Sequence, residues 1–413
     1  MDSKVLFAII LAVLVFDFIL ERVLEYLNAS KMGQAFPEEL KGLYDEEKYK
    51  TQQSYERENH RFKLITGTFS FAIILSMIFL GGFNFVDTFV SGISSNAIVQ
   101  ALLFFGILMF ASDIINTPFD VYDTFVIETK YGFNTTTVKT FILDKIKGWL
   151  LGAIIGGALL ALIIWLIGAF PTTFWIFAWL VVGFIAIFMA MFYSSLIVPL
   201  FNKQTPLEDG ELKQAITIFS EKVGFKLHNI FVIDGSKRST KANAYFSGLG
   251  AKKRIVLFDT LINEMSVNEI VAVLAHEIGH YKKKHVLMMI GFSLVQTGLM
   301  FFILGFFVNQ PALSLALGAS KPSIHMALIG FAILYSPLSF IFGILVNILS
   351  RKNEYEADTF AAVNNDSESL QMALKKLSVK NLSNLTPHPI YVFFHHSHPT
   401  LLQRLRNLSL YKK

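Results

Sequence analysis

The sequence predicts a mainly α, polytopic membrane protein: about seven transmembrane helices, with a zinc-type helix and a small β-hairpin on one membrane face. Three observations predict it. Hydrophobic residues fill 53% of the 413 positions and charged residues only 16%, and the mean hydropathy of +0.52 is far above that of soluble chains. Seven stretches are long and apolar enough to cross a bilayer, which takes about 20 residues. A HExxH motif, His276-Glu277-Ile278-Gly279-His280, lies just before one of them.

The expected spans are 4–27, 64–85, 93–112, 148–170, 172–199, 286–308 and 326–349. The N-terminal stretch continues its helical pattern through Asp17 and Glu21 and lacks a small-residue cleavage site, so it reads as a retained span. Asp17 and Glu21 share a helical face; they either reach the interface or a neighbouring helix, or line a water-filled cavity. The fourth and fifth spans meet at a tight uncharged turn ending in Pro171, and Pro337 predicts a kink in the seventh. The acidic and basic residues between Glu38 and Lys48 read as a solvated helix face.

Seven spans put the long segments 28–63, 113–147, 201–285 and 350–413 on one side. Of 36 Lys and Arg residues, only Lys4 and Lys321 then fall on the other. The positive-inside rule makes the long-segment side cytosolic. The net charge of +5 is absorbed by this bias, and no nucleic-acid partner is expected. With no cysteine, disulfides, thiolate ligands and thiol nucleophiles are excluded. The expected organisation is a five-span N-terminal region (1–200), a cytosolic segment with the hairpin and HEIGH helix (201–285), a two-span hairpin (286–349) and a C-terminal segment (350–413).

Four residues advance a helix by about 400°, so His276 and His280 lie one turn apart on nearly one face and can share one zinc ion. Glu277 is rotated about 100° from His276, where it can serve as general base without being a ligand. Ser266-Val-Asn-Glu269 reads as a capping box that starts this helix. Gly279 reads as a close-packing position or as room at the metal. His285 is five residues beyond His280 and off the shared face, a poor ligand. The third ligand is expected to be Glu354, with Asp358 one turn later bonded to the outer nitrogen of a ligating histidine; Glu356 reads as solvated. His280 precedes the sixth span and Glu354 follows the seventh, so two crossings return both helices to one face. The stretches 243–248 and 254–258 read as a hairpin whose edge either pairs with an extended peptide or is purely structural. His395-His-Ser-His398 taken alone reads as a surface tract.

These residues resemble the type I CAAX prenyl endopeptidases, membrane-integral zinc proteases with HExxH-plus-Glu chemistry. Further matching stretches are Ile127–Asn134, Phe201–Leu207, Asn243–Gly248, Arg254–Thr260, Ser350-Arg351 with Glu354 and Asp358, and Ser397-His398-Pro399 with Arg404. The resemblance implies seven helices enclosing a chamber, with the metal at its cytosolic end. It implies one Zn2+ per chain on His276, His280 and Glu354, with Glu277 as base. It also implies that His398 stabilises the oxyanion, Asn243 contacts bound peptide, and Asp358 and Arg404 support the ligands. The implied reaction cuts after a prenylated cysteine and releases a C-terminal tripeptide; some members also cut further upstream. A monomer is expected, in the inner membrane of a bacterium or in the endoplasmic reticulum and inner nuclear membrane of a eukaryote. The alternative is a membrane quality-control zinc protease without a prenyl requirement. A transporter or receptor with a degenerate zinc site is the remaining alternative, against which the complete ligand set argues.

Overall fold

A computed structural model describes residues 2–34, 36–37, 40, 46–226, 230–248 and 253–411. Most of the acidic run (38–39 and 41–45) and most of the hairpin tip (249–252) lie outside the described residues.

The membrane region begins with α1 (Ser3–Ala29), α2 (Glu46–Phe79), α3 (Gly82–Ile93) and α4 (Ala97–Tyr122). α4 continues as a π-helix over Asp123–Glu128, just beyond Pro118. Next come α5 (Val138–Leu151), a glycine-bounded π turn over Gly152–Gly156, and α6 (Gly157–Ala169). α7 (Phe174–Leu196) and α8 (Val198–Phe201) complete this half. Among the described residues, seven helical stretches are long and apolar enough to span a membrane.

Their bounds correct the sequence reading in two places. The second span ends at Phe79, because Gly81 (φ 70°) breaks the helix and a separate helix α3 begins. The third starts at Ala97, where the Asn96 side chain accepts from the N–H groups of Ile98 and Val99. Its helix runs on to Glu128, as the second, fourth and seventh helices also run past the expected crossings, to Glu46, Val138 and Asn364.

The polar region carries α9 (Glu211–Lys222), α10 (Asp259–Glu264) and α11 (Val267–Lys282). α12 (His285–Phe307) re-enters the membrane, α13 (Pro311–Ala316) caps its far end, and α14 (Ile324–Asn364) returns. Pro337 sits inside α14, which continues as one helix on both sides of it. α15 (Ser367–Lys380), α16 (Pro389–His395) and α17 (Leu401–Ser409) close the chain.

The predicted hairpin exists but belongs to a larger mixed sheet. Its strands are β1 (Gln204–Pro206), β2 (Ile230–Ile233), β3 (Ala244–Ser247) and β4 (Arg254–Phe258), in the order β1-β2-β4-β3. β2 pairs parallel with β4, and β3 pairs antiparallel with β4. β3 is therefore an edge strand with one side unpaired in the sheet.

Among the described residues, two large cores and a small third cluster around Leu40, Leu385 and Leu405 hold the molecule together. One joins Phe83 and Val86 of α3 and Leu313 and Ala316 of α13 to the nearby ends of the spans. Asp87 of α3 lies 2.6 Å from Nε2 of His325 on α14, both buried, which ties this end together. The other core packs the sheet, α9, α11 and the end of α14. The spans keep most of their apolar surface exposed, as helices facing lipid do. A cavity of about 800 Å³ lies among them, lined by Asp17, Glu21, Leu304, Phe331, Tyr335 and Ser336. Asp17 both faces this cavity and accepts from the Ser336 hydroxyl, so the two readings of that residue coexist.

The even number of crossings between α11 and the end of α14 predicts a labelling pattern in this cysteine-free chain. Single cysteines at Lys283 and Lys321 should react with an impermeant maleimide from opposite sides of sealed vesicles; reaction of both from one side would break the topology.

Candidate metal centre

α11 starts where the sequence places it. The Ser266 hydroxyl accepts from Glu269 N–H, and the Glu269 carboxylate accepts from Ser266 N–H at 2.8 Å, an arrangement that stabilises a helix start by about 1 kcal/mol. Lys376 of α15 pairs with the same carboxylate at 2.7 Å. A Cβ on Gly279 would lie 3.1 Å from the Ala357 Cα and 3.2 Å from its carbonyl oxygen. Of the two readings for Gly279, close packing is therefore the observed one. It brings α14, one turn past Glu354, against the HEIGH helix.

Nε2 of His276 and Nε2 of His280 are 3.1 Å apart. Glu354 presents Oε2 at 3.5 Å from the first and Oε1 at 3.2 Å from the second. One ligand atom from each residue falls within a single small group. Tetrahedral zinc with bonds of about 2.0–2.1 Å requires neighbouring ligand atoms about 3.3 Å apart, and these separations bracket that value. Oε2 of Glu354 is buried and accepts no well-formed hydrogen bond. Two imidazole nitrogens and a buried carboxylate oxygen turned toward one point fit a divalent cation.

Each histidine is held from behind. Nδ1 of His276 lies 2.9 Å from Asp358, a fully buried carboxylate. Arg404 of α17 donates to both oxygens of Asp358 at 2.9 and 2.6 Å, and its Nη1 lies 3.4 Å from Glu354. Nδ1 of His280 lies 3.0 Å from Nδ1 of His285, and Nε2 of His285 lies 3.2 Å from Glu356. His285 thus supports His280 from behind and stands outside the group of three, and Glu356, a partly exposed side chain, is its partner. The reason is Lys284, whose φ of 61° ends α11 and starts α12. The chain turns there, so His285 does not sit where a continuous helix would put it. A lysine in the left-handed region costs roughly 1–2 kcal/mol, and no glycine or asparagine announces the turn.

The other expected residues also gather at this face. His398 is 63% exposed, and its Nδ1 is 3.0 Å from Glu354 Oε2. Arg351 donates to the His396 carbonyl at 2.6 Å, and Asn347 to the Phe394 carbonyl at 2.7 Å, fixing the segment that carries it. Asn243 directly precedes the edge strand β3. The entry to β3 is anchored twice. Asn381 bonds both backbone groups of Ala242. Lys241 reaches Glu128 at 2.7 Å and Tyr55 at 3.0 Å, joining the π-helix and α2 to the sheet. A cavity of about 450 Å³ opens beside the centre, with Glu277, His280, Phe246 of β3 and Asn353 in its wall.

Burial and the Arg404 charge oppose protonation of His276, but the carboxylates of Asp358 and Glu354 outweigh them and push its pKa up to about 9. A metal takes the neutral imidazole, so below that pH binding must expel a proton. Apparent zinc affinity should therefore rise about tenfold per pH unit between pH 7 and 9, measured by chelator competition; a flat profile would contradict the arrangement. Replacing His285 with Ala should weaken zinc binding by about 10- to 100-fold, as loss of an outer partner does, with Glu356→Gln closer to wild type. Unchanged affinity in His285→Ala would show the contact to be idle.

Residues 25–203 match the family described as CAAX prenyl protease N-terminal, five membrane helices, and residues 206–412 match peptidase family M48. CAAX prenyl protease 1 of Saccharomyces cerevisiae is 35% identical, over 95% of this chain and 93% of its own length. A human CAAX prenyl protease 1 homolog is 30% identical, over 91% and 89%. The crystal structure of S. mikatae Ste24p superimposes with a TM-score of 0.92 at 36% identity, covering 98% of both chains.

Proposed function

Because this chain belongs to peptidase family M48, alongside the CAAX prenyl proteases, we propose that it hydrolyses the peptide bond after a prenylated cysteine and releases a C-terminal tripeptide. It is an integral-membrane metalloendopeptidase. The observation that carries the mechanism is the convergence of His276, His280 and Glu354 at tetrahedral spacing beside a cavity walled by Glu277.

One zinc ion per chain would be held by His276, His280 and Glu354. Bound there, zinc supplies Lewis acidity, polarising the scissile carbonyl and making water a nucleophile near neutral pH. Glu277 accepts the proton of the attacking water and returns it to the leaving amine. His398 donates to the oxyanion. Its exposure supports that role, since the ring is open to a substrate although its Nδ1 lies 3.0 Å from Glu354. Asp358 and Arg404 keep His276 in its tautomer and ring plane. The substrate backbone adds to the free edge of β3, with Asn243 contacting it at the strand entrance.

The bilayer is the working environment. The positive-inside distribution supports a cytosolic active site, in the endoplasmic reticulum or inner nuclear membrane of a eukaryote or the inner membrane of a bacterium. All ligands and the base come from one chain, which supports a monomer as the active unit. Relatives named for CAAX processing favour this reading over a quality-control protease.

The test is tripeptide release from a prenylated CAAX peptide by purified protein. Glu277→Gln should keep about one zinc per chain, because the residue is not a ligand, while cleavage falls by about 10²–10⁴-fold. Glu354→Ala should lose the metal. Loss of zinc in the glutamine variant, or full zinc in the alanine variant, would sink the assignments.

A further inference from the structure

The two faces of α2 meet different surroundings. One packs inward. Glu56 accepts from the Asn384 side-chain amide at 3.1 Å, a Cβ on Gly67 would lie 2.9 Å from the Arg22 guanidinium, and Phe71 stacks on Phe18 with ring centroids 4.1 Å apart. The opposite face runs through Ser54, Arg57, Arg61, Ile65, Thr68 and Ala72. These positions are three or four residues apart, so they form one stripe pointing away from α1 and the C-terminal segment.

A cavity of about 740 Å³ lies on the stripe from Ser54 to Ile65, with Pro118, Phe119 and Tyr122 of α4 as its other wall. The Phe62 ring meets those of Tyr122 at 5.6 Å and Phe119 at 6.3 Å, which gives the cavity an aromatic floor. Ile65 also lines a second hollow of about 520 Å³, which continues past Thr68 and Phe69 to Ala72. At 1.5 Å per residue this apolar continuation is about 10 Å long.

Charge changes abruptly along the stripe. Lys63 is the last charged residue of α2, and Leu64–Phe79 carries none. Just before that boundary, Arg57 and Arg61 are exposed and line the first cavity, together with Lys130. The carboxylate in the same wall, Glu58, is held by Lys130 at 2.6 Å and by the Tyr131 hydroxyl at 2.8 Å. Among the described residues neither arginine forms an ion pair or a hydrogen bond. Three cations therefore face one carboxylate where α2 enters the bilayer, and an apolar hollow begins at the same level.

A soluble anion would use the arginines and leave the hollow empty. An uncharged hydrocarbon would fill the hollow and leave the arginines unanswered. A phospholipid does both, since guanidinium groups match phosphate oxygens in charge and geometry. We propose that this groove between α2 and α4 binds one anionic phospholipid, its phosphate on Arg57 and Arg61 and an acyl chain along Ile65, Thr68 and Ala72.

The experiment titrates the full chain in detergent with dioleoylphosphatidylglycerol or with zwitterionic dioleoylphosphatidylcholine, and reads retained lipid by native mass spectrometry. Wild type should retain one phosphatidylglycerol in preference to phosphatidylcholine. Arg57→Gln combined with Arg61→Gln should weaken phosphatidylglycerol binding by about 30-fold, which is about 1 kcal/mol for each basic residue. Both side chains are exposed, so their replacement leaves the packing of α2 intact. Lys139→Gln combined with Lys203→Gln removes the same charge from two other exposed lysines and should bind as wild type does. Thr68→Trp fills the hollow and should weaken binding with both arginines in place. Equal losses in the two double variants would reduce the effect to general charge attraction and overturn the site, as would unchanged affinity in the arginine variant. Displacement of the lipid by millimolar glycerol phosphate would show a site for a free phosphate ester and overturn the lipid assignment.

Discussion

The structure turns on bringing two imidazole nitrogens from α11 and one carboxylate from α14 to within about 3.5 Å of each other. These residues are separated in the chain by a membrane hairpin. Only an even number of crossings returns α14 to the face from which α12 departed. The parity of the spans is therefore a condition for the centre to exist. The contact at Gly279 and Ala357 sets the interhelical distance that makes it tight enough.

Such a cluster is costly to bury. Glu354 and Asp358 are 3% and 0% exposed. A buried charge left without a partner costs roughly 3–5 kcal/mol. Arg404 answers both carboxylates, and it comes from the last helix of the chain. The C-terminal segment is thus part of the centre: α17 neutralises it, and the segment after α16 carries His398. Arg351 and Asn347, on α14 itself, pin that segment through its carbonyls. The same logic appears at the opposite membrane end, where Asp87 and His325 satisfy each other.

Much of this was legible because it is local. The capping box, the HEIGH spacing and the apolar stretches are short-range patterns, and so is the pair Glu354 and Asp358 one turn apart, which the count of crossings then placed on the same face. What escaped depended on long-range contact. β1 and β2 are three and four residues long, and β2 gains its place by parallel pairing with β4, which no hairpin pattern reveals. The break at Gly81 carried a glycine signal inside an apolar run that a span-length window reads through. The contact of His285 with His280 was hidden because helical geometry does not extend past Lys284, where α11 stops. The stretch Ile127–Asn134 gains its meaning only in three dimensions, where Glu128 holds Lys241 just before β3.

The turn at Lys284 also explains how water chemistry and a membrane span can be neighbours in one stretch. Had α11 run on unbroken into α12, the α12 residues that line the cavity beside the centre, such as Val286 and Met289, would be set by the phase of the HEIGH face, and His285 would lie away from His280. Breaking the helix uncouples the two phases. α11 is oriented by its packing on the sheet and on α14, and α12 by its packing on α7. The left-handed residue between them lets His285 turn back to His280 while the residues after it line that cavity. The strain at one lysine is thus offset by two interactions that a straight helix offers singly at best: a partner behind the metal ligand, and a cavity wall that begins at the same point.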